Sequence, residues 1–94
     1  MAMNAEQTAA LAQLRQSVVA ILPDLSFGPG SRGDDMRMWL AELDREHTPF
    51  ARIRTIAASL RSVGTELARQ PDPPDLAAAA TSLVEAATGV LVAF

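Results

Sequence analysis

The stretch PFARIRTIAASLRSVGTELARQ, Pro49–Gln70, decides the fold. Ile53, Ile56, Leu60, Val63 and Leu67 recur at alternating intervals of three and four residues, with Phe50 leading in. That rhythm draws one apolar stripe along a helix and matches the heptad seam on which left-handed bundles pack. Gly64 sits inside the run and costs about 1 kcal/mol relative to Ala as a helix former. Ala57, Gly64 and Ala68 fall close together on the wheel, a strip of small side chains against which a neighbouring helix can come close.

Working towards the N-terminus, Thr48-Pro49 reads as an N-cap followed by proline at the first helical position. Before it, Met36, Trp39, Leu40 and Leu43 give a second apolar stripe over residues 34–47, with Asp34 and Asp35 at the positive end of the helix dipole. The link between these two helices is short, so one kinked rod is the alternative to two separate helices. Pro23–Gly33, PDLSFGPGSRG, holds three glycines and two prolines and reads as a loop. Leu25 and Phe27 are expected to tuck into the core. The loop is long for a helix–helix connection, which makes it either a functional surface or a spacer. Ahead of it, Leu11, Leu14, Val18 and Ile21 mark a helix over 4–22. Asn4 and Gln7 can form a capping box, and Pro23 is the stop.

Towards the C-terminus, PDPPD at 71–75 ends the third helix. Asp72 as N-cap with Pro73 in the first turn starts a fourth, over 73–93. Leu76, Ala80, Leu83, Ala87, Val90 and Phe94 repeat the heptad, and only Thr81, Glu85 and Thr88 form a narrow polar line. A helix apolar nearly all round is normally covered on several sides. Its length is close to that of a membrane span, but it is alanine-rich, carries Glu85 and lacks basic flanks, so no membrane partner is expected. The reading is one all-α domain over 1–94, a small four-helix up-down-up-down bundle with helices at about 4–22, 34–47, 49–70 and 73–93.

Composition narrows the function. The chain has 94 residues, no cysteine and a formal net charge of −3. Disulfides and thiolate metal sites are thereby excluded, and a nucleic-acid partner is not expected without a basic excess. All eight basic residues are arginine and alanine is abundant, the mark of a high-GC, bacterial-like coding bias. Met1–Leu11 has no basic n-region and does not read as a signal peptide, so a cytoplasmic location is expected.

No catalytic set stands out. His47 is the single histidine, and Asp44 three residues earlier gives only one carboxylate-x-x-His pair where a di-iron bundle needs two. Neither a metal nor a cofactor is expected. Leu11-Ala-Gln-Leu14-Arg15 is similar to the opening of the all-helical chorismate mutases, in which an arginine at the place of Arg15 would contact a substrate carboxylate. This chain has no lysine to match that family's essential one. Acyl carrier proteins carry Asp-Ser-Leu at the start of their second helix. Here the text is Asp34-Asp35-Met36, with no serine to modify. Arg54 and Arg61, two turns apart, are candidates for holding an anion.

The function expected from these residues is therefore a non-enzymatic helical protein-interaction module: an adaptor, chaperone-like or regulatory subunit. It would act as a homodimer or in an obligate complex with another chain. The expected interface is the fourth helix, through Leu76, Ala80, Leu83, Val84, Ala87, Val90, Leu91 and Phe94. The alternatives are a helical-bundle enzyme or binding protein for an anionic metabolite held by arginines, and a secreted effector-like helical protein.

Overall fold

The computed structural model describes residues 3–70 and 74–94. Their order is α1 (Ala5–Ile21), a 3-10 turn (Leu22–Asp24), α2 (Arg32–Leu43), α3 (Phe50–Ala68) and α4 (Pro74–Ala93). The expected Asp72 cap and Pro73 lie outside the described residues.

Local chemistry explains most of the boundaries. Asn4 starts α1 with a complete capping box: its side chain accepts from the Gln7 N–H at 2.8 Å, and Gln7 returns a bond to the Asn4 N–H at 3.0 Å. Pro23 does not break the chain abruptly. It sits in the first positions of the 3-10 turn, where its missing N–H has no cost.

Both ends of α2 and the start of α3 differ from the sequence reading. The second helix begins at Arg32, before the expected Asp34, because Ser31 is its N-cap and accepts from the Asp34 N–H. Nor do α2 and α3 form a kinked rod. The helix stops at Leu43, short of His47, and Thr48 caps its far end by donating to the Glu42 carbonyl at 2.6 Å. Pro49 is extended, with φ −61 and ψ 147, so it occupies the cap position and Phe50 opens α3.

Gly33 is where loop and helix close on each other. Its N–H donates to the Ser26 carbonyl at 3.0 Å, and a Cβ here would lie 2.4 Å from that oxygen and 2.8 Å from the Phe27 ring. The backbone oxygen cannot be displaced without opening the loop. Gly33→Ala is expected to lower stability by about 1–3 kcal/mol despite alanine's better helix propensity. Chemical denaturation checks it, and removing the ring as well (Phe27→Ala) should not restore the loss. Phe27 itself is not in the core. It is half exposed, lying beside Gly33 with the Arg37 guanidinium 5.0 Å from its ring centre. Leu25 does pack against the core.

The helices alternate in direction. The start of α1 meets the end of α4, where Gln7 Nε2 donates to the Ala93 carbonyl at 3.1 Å. Phe50, opening α3, stacks edge-on against Phe94 with ring centres 5.1 Å apart. The two ends of α2 pair with the opposite ends of α3, Arg32 with Glu66 and Glu42 with Arg52. The core draws on every helix: Leu11, Leu14, Val18 and Ile21 from α1, Met36 and Leu43 from α2, Ile53, Ile56 and Leu60 from α3, Leu83 and Val90 from α4.

Packing is unequal around the bundle. The backbones of α3 and α4 run closest, followed by α1 and α4, while α2 stands off from both neighbours. Side-chain size accounts for this. Buried alanines and Gly64 line the α3–α4 seam, and a Cβ on Gly64 would sit 2.9 Å from Val84 Cγ2. The inward residues of α2 are the larger Met36, Trp39, Leu40 and Leu43, which hold its axis farther out.

Candidate functional site

The small strip on α3 and the apolar excess of α4 are both consumed inside the chain. Leu76, Ala80, Leu83, Ala87 and Val90, five of the residues expected at an interface, are core residues covered by α1 and α3. Val84, Leu91 and Phe94 are half-buried. The outer line of α4 is Ala78, Thr81, Ser82, Glu85, Gly89 and Val92, of which only Val92 is a large apolar side chain, at 78% exposure. By length and composition α4 could cross a membrane. A soluble protein's core helix passes the same test, and here α4 is flanked by α1 and α3.

Large apolar side chains reach solvent instead mainly on α1, α2 and the loop between them. Val19 is 56% exposed, Met38 65% and Phe27 48%. Between α1 and α2 runs an open groove of about 490 Å³, lined by Ala12, Gln16, Val19, Ala20 and Leu40 and closed at one end by the Arg15–Asp44 ion pair at 3.6 Å. It exists because α2 stands off from α1, leaving the flank of Leu40 uncovered. Seventeen residues of α1 carry two charges, Glu6 and Arg15, so the groove wall is almost neutral.

A second hollow, of about 690 Å³, opens where the turn at 44–49 bridges α2 and α3. Leu11, Leu43 and Ile53 form its floor, and Arg15, Asp44, Glu46 and His47 its rim. Its rim charges are mixed, and the His47 and Glu46 side chains are 90% exposed, with His47 Nε2 4.0 Å from a Glu46 carboxylate oxygen. His47 thus sits in the turn after α2 and faces water. Among the described residues no three His, Asp or Glu side chains are grouped to hold a metal.

The arginines of α3 divide by neighbour. Arg52 faces α2 and bonds Glu42 at 2.7 Å. That bond, and secondarily the positive charges of Arg52 and Arg45, hold the Glu42 carboxyl below the usual glutamate value. Arg54 faces α4 and donates to the Leu91 carbonyl at 2.7 Å. With Gln7 on Ala93, it satisfies carbonyls that the end of α4 would leave unpaired. Arg61 lines a shallow groove with Ser62, Thr65, Arg69 and Leu91. Arg54 and Arg61 therefore share a helix but not a pocket, and about 10 Å of helix axis separates them.

Sequence reasoning missed the α1–α2 groove. Val19 was a visible apolar residue off the main stripe, but nothing local shows that α2 leaves its flank open. No protein-family model matches this chain, and no curated protein or solved structure matches it either.

Proposed function

We propose that this chain is a helical protein-interaction module that pairs with a second copy of itself through the α1–α2 face. The observation that carries the reading is the neutral groove beside Val19, a large apolar residue 56% exposed on α1. Scattered exposed apolar residues mean little, but one that borders an apolar groove can be covered by a matching surface. The near absence of charge on α1 favours a like partner, because two copies can approach face to face without like-charge repulsion. A stable dimer needs about 800 Å² from each partner, so the contact extends beyond the groove towards Phe27 at the start of α2.

Light scattering on the purified chain tests this. The expected mass at micromolar concentration is twice the chain's 10.0 kDa. Val19→Glu is expected to halve that mass while leaving the helical circular dichroism unchanged, since the side chain plays no part in the core. A wild-type chain that runs as a monomer overturns the proposal.

A further inference from the structure

The protein is acidic, yet its arginines are not evenly spread. The segment Phe50–Arg69 holds four of the eight and a single acid, Glu66, for a local charge of +3, while the rest of the chain carries −6. Arg52 is turned to α2 and paired with Glu42, and Glu66 pairs with Arg32 of α2 while also lining the groove beside Arg61 and Arg69. Arg54, Arg61 and Arg69 are exposed, and among the described residues none forms an ion pair with a carboxylate. Arg54 and Arg61, seven residues apart, lie on one line of the helix, Arg54 also donating to the Leu91 carbonyl; Arg69, the C-cap residue eight further on, is rotated about 80° from Arg61, and the three span about 22 Å. Beside these arginines α4 offers half-buried Val84 and Leu91, with exposed Val92 and a single acid, Glu85, on its outer line.

We infer that the outer α3–α4 face docks an acidic helical segment of another protein. The spacing selects the class of partner. Arginines two turns apart match carboxylates set two turns apart on a partner helix. The apolar flank of α4 suits the partner's apolar stripe, with the guanidinium groups as a polar rim. Segregated basic charge on an otherwise acidic molecule steers such a segment to this face and repels it elsewhere. The inference rests on the interaction-module reading but uses a different surface from the self-contact, so the molecule would act as an adaptor.

The test uses the full chain and a synthetic helical peptide of three heptads, with glutamate on one flank and leucine or alanine on its apolar stripe. Fluorescence anisotropy should show binding that weakens as salt rises. Arg61→Glu should weaken it by about ten-fold, and Arg45→Glu, an equal charge change in the α2–α3 turn, by about two-fold or less. Circular dichroism confirms that both variants are folded. Failure to bind the peptide, equal effects of the two variants, or equal affinity for a DNA duplex overturns the inference. The mass of Arg61→Glu separates this from the self-pairing proposal: it should stay that of the wild type. A halved mass would make this face the self-contact and defeat both readings.

Discussion

Leu83→Ala is expected to lower the free energy of unfolding by about 3–5 kcal/mol. Leu83 is fully buried in the helix that both α1 and α3 flank. Truncation removes the transfer free energy of the lost carbons and leaves a cavity whose walls belong to separate helices, which cannot all collapse into it. A domain of this length has a total stability of about 5–14 kcal/mol, so the loss is a large share of it. Urea denaturation measures the effect. Val92→Ala, on the exposed side of the same helix, should change stability by less than about 0.5 kcal/mol. If the two substitutions cost the same, α4 is not sealed by its own chain.

Gly64→Leu is expected to cost about 2–3 kcal/mol, reversing the usual sign for glycine in a helix. Replacing a mid-helix glycine by leucine ordinarily gains most of the roughly 1 kcal/mol that separates Gly from Ala. Here a Cβ alone would lie 2.9 Å from Val84 Cγ2 and 3.3 Å from the Ala80 carbonyl oxygen. The rest of a leucine would have to push α3 and α4 apart along the closest seam of the bundle. Gly64→Ala should come out near neutral, its propensity gain offset by the crowding. Gly89 provides the comparison. It is exposed on α4 with nothing within 4 Å of an added Cβ, so Gly89→Ala should stabilise by up to about 1 kcal/mol. Thermal or urea unfolding of the three variants distinguishes propensity from packing. A stabilising Gly64→Leu would contradict the seam.

What the sequence made legible was periodic and local. The heptad of α3 named five residues that are all buried, and Asn4 with Gln7 announced the capping box that forms. The number of helices and their alternating course followed from the stripes and the short links. What stayed hidden depends on contacts distant along the chain or between turns. Gly33 reads as the end of a loop until the Ser26 carbonyl closes on it and makes it part of the first turn of α2. Thr48 reads as the N-cap of the helix ahead, whereas its hydroxyl donates backward, to the Glu42 carbonyl of α2 and the Arg45 carbonyl of the turn.

The apolar excess of α4 is the instructive case for function. Periodicity showed that the helix needs cover on more than one side, but not what supplies it. The two neighbours α1 and α3 do most of it, α3 closely at Ala57 and Gly64, and the surface left open moves to the α1–α2 side, where bulkier residues hold α2 away. Arg54 and Arg61 share a face by count, yet one is engaged with the end of α4 and the other lines an open groove.

Amide hydrogen exchange at low and high protein concentration tests the proposed self-contact and where it lies. Exchange in the α1–α2 face, residues 12–20 and 37–44, should slow as concentration rises, with the outer face of α4 unchanged. Slowing confined to α4, or no dependence on concentration anywhere, would contradict it.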